Sequence, residues 1–384
     1  MFLTYLTNTM TTPLISLLVF VLVLFLYVHL MAHFKKTYDT TIFEMDYSGN
    51  PAQLHEVCAL KQPMLFGLPV HADDGAKNLA KLLHPSSLAQ IGASFDVKLV
   101  DMDDYVSSKS ADPVRVPVRL SHALAMLNHD TDRPHYFSDH NEEFMEDTGV
   151  QRPIADALDY HLRPMTALMT THDLWLGARG ANTPLRYHTH TRAFLMVHSG
   201  SIRVKMTSWK SNKYLRPISD YDAYEFRSPI DVWKPQPEFE ADYSRVRFMD
   251  FTITADSAFN ILYIPSYWWF SIQYSPASSS GGSIDTVATM SMYDTPIGVL
   301  ANIPHFALHM LQQWNIQHHP IKPKNDDLSN NDGINGSSSS NGSSNGNITN
   351  TTSDTMPVHV QVAMASVPTM SSVEAAMNVA IIDQ

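Results

Sequence analysis

Pro13 to Ala32, PLISLLVFVLVLFLYVHLMA, is apolar throughout and holds no Asp, Glu, Lys or Arg. At about 1.5 Å per residue such a run reaches about 30 Å as a helix, the thickness of a bilayer's hydrocarbon core. A cleaved signal peptide would want a basic leader, a shorter apolar stretch and a small-residue cleavage site. Residues 1–12 carry no basic side chain, and His33-Phe34-Lys35-Lys36 follows. The pattern therefore predicts one transmembrane helix over 13–32 behind a short flank, 1–12.

Beyond a stalk expected at 33–50, the periodicity changes. Met64–Phe66 and Phe95–Val100 read as strands, and Leu120–Leu127 and Ile154–His161 as helices. From Leu168 onward β segments succeed one another: Thr170–Leu176, Ala193–His198, Ser201–Ser208, Arg245–Thr254, Asn260–Ile264, Trp268–Tyr274 and Ile284–Tyr293. Ile202, Val204 and Met206 alternate with Arg203 and Lys205, and Val246 and Phe248 with Arg245 and Arg247. Strands that alternate in this way and are joined by turns predict a mainly β sandwich or jelly roll. A helix over Val299–Gln317 is expected to close the folded part, 51–320. Its His305 and His309 share a face, but the Glu of H-E-x-x-H is missing, so surface amphipathicity accounts for them better than zinc.

After Pro320 the composition collapses to Ser, Asn, Gly, Asp and Thr. Residues 321–355 are expected to form a disordered linker, since such a tract buries too little apolar surface to fold. In the tail, 356–384, Ser371-Ser372-Val373-Glu374 reads as a capping box before Val373, Met377, Ala380 and Ile381.

Charge narrows the function classes. With 26 Lys+Arg against 38 Asp+Glu the formal net charge is −12, which argues against nucleic-acid binding through phosphate neutralisation. Cys58 is the sole cysteine, so neither a disulfide framework nor a CxxC metal site exists. The expected partners are the membrane, through 13–32, and a protein. Lys35 and Lys36 follow the span and no basic residue precedes it, so the positive-inside rule predicts a cytoplasmic domain. The sequons at Asn335, Asn341, Asn347 and Asn350 point the other way, although a Ser/Asn/Gly/Thr tract generates them by chance.

Three stretches resemble the cupin-like, JmjC-type branch of the Fe(II)/2-oxoglutarate dioxygenase superfamily. They are Trp175-Leu176-Gly177 with Thr183-Pro184-Leu185; Phe194–Val204 with Lys213-Tyr214-Leu215; and Leu262–Ser271, LYIPSYWWFS. Gln62–Gly67 is similar to the family's opening strand and Leu300–Gln313 to its closing helices. The resemblance covers roughly 55–315. It implies a double-stranded β-helix (jelly-roll cupin), with an α/β part before it and helices after it.

That family holds iron with an H-x-D/E … H triad. Aligned on Thr183-Pro184-Leu185, the three positions are Arg186, His188 and Phe270. Phenylalanine cannot ligate, and a guanidinium is a cation where a neutral donor is required. Counting back from Gly200 instead gives Tyr187 and Thr189, which restores nothing. His188 and His190, at i and i+2, could face one way as an H-x-H metal pair, with Asp250 or Asp285 as the distant carboxylate. Alternatively they are two hydrogen-bonded polar residues near a strand end. For 2-oxoglutarate the resemblance implies a basic residue on an inner strand, Arg203 or Lys205, though both alternate onto a face that could be solvent. Tyr263, Tyr267, Trp268, Trp269 and Phe270 could line a ligand pocket or pack the core. Trp268 and Trp269 must point opposite ways.

The expectation is thus a membrane-anchored cupin-like binding or scaffold module without an iron triad and without a cofactor. The alternative is an Fe(II)/2-oxoglutarate-dependent oxygenase, of hydroxylase or demethylase type, remodelled around His188 and His190. A structural membrane protein is the third class.

Overall fold

The computed structural model describes residues 2–69, 73–91, 95–107, 115–130, 134–275 and 286–318. The chain divides into one compact unit over Met1–Trp314 and a second over Asn315–Gln384. The expected linker 321–355, the tail 356–384 with its capping box, the four sequons and Asp285 lie outside the described residues.

A single helix runs from Phe2 to Phe34. Its stretch Ile15–Phe34 is long and apolar enough to cross a membrane, with a mean hydropathy of 2.7. The helix contains the sequence run 13–32 and continues two residues past it. Phe34 ends it and is 2% exposed, packed with Tyr267 and Ala301.

The remainder is rich in sheet. In chain order the strands are β1 (Phe43–Met45), β2 (Met64–Phe66), β3 (Asp96–Asp101), β4 (Arg115–Arg119) and β5 (Tyr136–Ser138). Then come β6 (Met169–Gly177), β7 (Arg186–Tyr187), β8 (Arg192–Ser199), β9 (Ser201–Thr207) and β10 (Ile218–Asp220). The last five are β11 (Glu225–Arg227), β12 (Met249–Thr254), β13 (Ile261–Pro265), β14 (Trp269–Ser275) and β15 (Val287–Asp294). One large mixed sheet has the order β1-β2-β13-β8-β15-β6-β5-β3-β4, and an antiparallel sheet the order β10-β11-β7-β14-β9-β12.

From β6 to β9 successive strands alternate between the sheets, and β12 to β15 do so again. Gly200, at φ 72°, makes the turn that carries β8 of one sheet into β9 of the other. The inner faces meet in one hydrophobic cluster that includes Leu195 and Val197 of β8, Val204 and Met206 of β9, and Ile272 and Tyr274 of β14. Burial of this kind contributes about 25 cal/mol per Å² of apolar surface and is the main drive for the two sheets to close on each other.

Three local differences from the sequence pattern have physical causes. Residues 33–50, expected as a stalk, contain β1, which pairs in parallel with β2; Met45 and Tyr47 are buried there. The alternation at Arg245–Phe248 belongs to a turn after the Glu240–Tyr243 helix, and β12 begins only at Met249. The closing helix is two helices, Pro296–Ala301 and Ile303–His318. Pro304 has no N–H to give the carbonyl of Leu300, so the helix breaks beside it at Asn302. The Asn302 amide instead donates to the Thr189 and Gly298 carbonyls, at 2.9 and 3.0 Å.

Candidate functional site

Arg186 and Phe270 are register partners where β7 meets β14. The His188 ring lies 6.2 Å from the Phe270 ring. The three positions that the resemblance aligns with metal ligands are therefore neighbours, but their side chains do other work.

Arg186 is 5% exposed and lies at the centre of a buried ion-pair network. Its Nη2 donates to Asp139 Oδ2 at 2.5 Å and its Nη1 to Glu225 Oε1 at 3.2 Å. The guanidinium also stacks over Trp175, 4.5 Å from the ring centre, and Trp175 in turn stacks on Phe270 at 6.3 Å. Glu225 comes from β11, whose Arg227 pairs with Arg186 in the sheet. It accepts as well from Arg115 Nη2 and from the Tyr105 hydroxyl, each at 3.3 Å.

Asp139 lies in the loop after β5, and Asp173 of β6 fixes that loop. The Asp173 carboxylate accepts from the backbone N–H groups of His140 and Asn141 at 2.8 and 2.7 Å, and from Trp175 Nε1 at 2.7 Å. His140 takes a left-handed backbone, φ 54°, to make the turn, and its Nδ1 lies 3.0 Å from Asp139 Oδ1. Burial alone would raise the Asp139 carboxyl, but Arg186 and His140 outweigh it and hold it well below the usual carboxylate range. Glu225 is likewise lowered against its burial, by Arg115 and Arg186. Both carboxylates hold their charge because a guanidinium is beside them.

His188 and His190 are adjacent, with rings 5.9 Å apart, yet they are bonded differently. His188 Nε2 lies 3.1 Å from the Ile264 carbonyl. That nitrogen must carry the proton, which leaves Nδ1 bare, buried and without a hydrogen-bond partner among the described residues. Burial, then His190, push its pKa down to about 3, so His188 is neutral. His190 Nδ1 lies 2.7 Å from Asp294 Oδ2. Burial opposes its protonation, but the Asp294 carboxylate prevails and raises it. Asp294 Oδ1 is taken by the Thr191 N–H at 2.9 Å.

The carboxylate beside the pair is thus Asp294, not Asp250. Asp250 lies on β12, where Arg203 of β9 binds it through Nε and Nη2 at 2.7 Å each, half exposed. Lys205 shares that outward face, donates to the Val232 carbonyl at 2.8 Å and lies over Trp233. Among the described residues no three His, Cys, Asp or Glu side chains converge as a metal cage.

The aromatic stretch Tyr263–Phe270 is buried throughout. Trp268, just before β14, joins the large core cluster with Phe270, and Trp269 a second cluster with Leu185, Leu215 and Ile230. The Tyr263 hydroxyl donates to the Cys58 carbonyl at 3.1 Å. His305 and His309 meet Tyr221, through its hydroxyl and its carbonyl.

Sequence reasoning missed Asp139, Glu225 and Asp294. The one available signal for the first two was Arg186 itself: a guanidinium on a buried strand must be paired. Comparison of the sequence with known protein families and with curated proteins finds no match to either.

Proposed function

We propose that this chain is a membrane-anchored cupin-like, JmjC-type module that acts by binding or scaffolding rather than by iron chemistry. The observation that carries the reading is the buried guanidinium of Arg186, held by Asp139 and Glu225 at one of the three positions the family uses for iron. The alternation of strands between two sheets, with β15 between β6 and β8 and β14 between β7 and β9, supports a jelly roll as its fold.

The residues present do not fit an iron ion. Arg186 supplies a fixed positive charge where a dication would need a neutral donor, and Phe270 supplies no lone pair. His188 turns its protonated nitrogen to a backbone carbonyl. Its bare Nδ1 is the one feature that favours a remodelled oxygenase.

The test is metal content and turnover of the purified full chain in detergent. We expect no stoichiometric Fe(II) after anaerobic loading and no succinate from 2-oxoglutarate. One bound equivalent of Fe(II), lost in both His188→Ala and His190→Ala, would replace this reading with the oxygenase.

A further inference from the structure

The two C-terminal helices are amphipathic the wrong way round for a water-soluble surface. From Pro296 to His318 the sequence, PIGVLANIPHFALHMLQQWNIQH, carries no Asp, Glu, Lys or Arg. In the second helix three polar side chains face the protein, while Gln312 and Asn315 are exposed. His305 meets the Tyr221 hydroxyl at 3.2 Å, His309 meets the Tyr221 carbonyl, and Gln313 donates to Asp222 Oδ1 at 2.9 Å. Phe306 stacks on Tyr224 between them.

Ile303, Met310, Leu311 and Trp314 follow one another at i, i+7, i+8 and i+11, which places them on a single outward stripe. Each is about half exposed, and Trp314 reaches 60%. Ile297 and Leu300 of the preceding helix continue the apolar surface, at 53% and 52%. A contiguous apolar surface of this kind without charges needs a covering.

What covers it follows from where it sits. The Pro296–Ala301 helix packs against the end of the N-terminal helix, with Ala301, Tyr267 and Phe34 in one cluster. The Tyr267 hydroxyl donates to Asn302 Oδ1 at 2.8 Å and contacts Met31 Sδ at 3.9 Å. Trp209 Nε1 donates to the Thr37 carbonyl at 3.1 Å. The last turn of the span is therefore bolted to the domain with no slack between them. Lys35, just past the span, lies 4.9 Å over the Tyr267 ring and 6.0 Å from the Trp209 ring. A lysine and aromatic rings at a helix exit are the residue types that settle at the headgroup level.

We propose that the outward stripe of the Pro296–Ala301 and Ile303–His318 helices lies in the interfacial layer of the bilayer that the N-terminal helix crosses. The domain is then clamped to the membrane surface at a second place and does not hang from a tether. The inference rests on Ile15–Phe34 being a membrane span. Apolar side chains inserted to the headgroup boundary, with the polar face turned inward to Tyr221 and Asp222, satisfy both sides of the helix.

The test uses the full chain reconstituted in vesicles of phosphatidylcholine with a minority of phosphatidylglycerol, labelled at single engineered cysteines with an environment-sensitive fluorophore. Cys58 is buried and burial pushes its thiol up to about 11, so it stays unlabelled. The positions are Leu300→Cys, Leu311→Cys and, as control, Thr254→Cys. Thr254 pairs with Ser201 at the Gly200 turn. That turn is the far end of β8 from Arg192, which pairs with Pro265, two residues before Tyr267; the strand between them is about 23 Å long at ~3.3 Å per residue.

Labels at 300 and 311 should emit blue-shifted light and lose intensity when bromine-labelled lipids are used, while the label at 254 should do neither. Water-like emission at 300 and 311 overturns the proposal. So does blue-shifted emission that bromolipids leave unquenched, because protein would then be the cover, whether a second copy or the chain's own residues 319–384. Alkaline carbonate separates the underlying assumption: a chain washed off the vesicles loses the span and the docking together, whereas a chain that stays with unquenched labels loses the docking alone.

Discussion

Replacing Arg186 with Met keeps the length and most of the bulk of the side chain but removes its charge. Asp139 and Glu225, whose side chains are 1% and 3% exposed, would lose their shared cation. Breaking a buried ion pair from one side typically destabilises by about 3–5 kcal/mol, because the remaining charge is stranded. Two features moderate the loss. Asp139 keeps His140 at 3.0 Å, and Glu225 keeps Arg115 and Tyr105 at 3.3 Å. One adds to it: the guanidinium stack on Trp175, worth up to about 2 kcal/mol when desolvated, disappears. The expected loss at neutral pH is therefore about 3–4 kcal/mol, which lowers Tm by roughly 10 °C for a domain of this size.

The pH dependence is the sharper readout. In the native chain both carboxyls are lowered, so their contribution is present above the unfolded values near pH 4 and lost as pH falls through the folded ones. Without Arg186, burial is the strongest influence left on Asp139 and raises it. A raised carboxyl stabilises below pH 4 and loses that contribution as pH rises. The gap between native and Arg186→Met should thus close only well below pH 4, where the native carboxyls protonate as well, and widen from there toward neutrality, by up to about 1.4 kcal/mol per unit of pKa difference. Thermal melts of the full chain in non-ionic micelles, followed by tryptophan fluorescence at several pH values, measure it. Adding Asp139→Asn should recover part of the loss at neutral pH. A loss below about 1 kcal/mol at pH 7, or one that is flat with pH, would refute the account of Arg186 as the cation that this interior is built around.

Gly177→Ala should misfold or lose stability at or beyond the usual overpacking range of about 1–3 kcal/mol. The added Cβ would stand 2.0 Å from Cδ2 of Tyr274, a buried ring with no room to retreat; soluble yield and Tm report it. Lys61 is 3% exposed, and burial, with Arg192, lowers its ammonium to about 8. Its contribution is thus present above pH 10.4 and lost as pH falls through 8, a swing of about 3 kcal/mol that Lys61→Met should erase from the difference in Tm measured between pH 7 and 10.5. If the domain is cytoplasmic, protein made in eukaryotic cells should keep its mass on glycosidase treatment, whereas a shift would place Asn335, Asn341, Asn347 and Asn350 across the membrane.

What the sequence made legible was what local pattern controls. The apolar helix and seven of the strands between Met169 and Asp294 follow from period and hydropathy, which act over a few residues; β7, β10 and β11, two or three residues each, are too short to show a period. The boundaries that moved did so for reasons of tertiary context. Arg245–Phe248 alternates like a strand, yet its neighbours Glu240–Tyr243 wind into a helix, so the ladder with β9 starts only at Met249. Val299–Gln317 has one continuous apolar period, and only the missing N–H of Pro304 and the side chain of Asn302 divide it.

The polar interior was legible from one side only. A guanidinium at Arg186, between Leu185 and Tyr187 on a strand of the core, must find anions. Nothing within a few residues supplies them, and the pattern gives no reason to choose Asp139, 47 residues before it, or Glu225, 39 residues after. The same holds for His190, whose carboxylate is Asp294, 104 residues away, while Asp250 turned outward to Arg203. Long-range ion pairs leave no periodic trace, because each needs one side chain at one register and the intervening chain is free to vary. The orientation of the Ile303–His318 helix shows the other limit. Its hydropathy alone would bury Ile303, Leu311 and Trp314 in the protein, and only the contacts of His305, His309 and Gln313 with Tyr221 and Asp222 turn that face outward. The same apolar period that marks a core-facing helix therefore marks here a surface that is about half exposed, and the two are told apart only by the partners of its histidines.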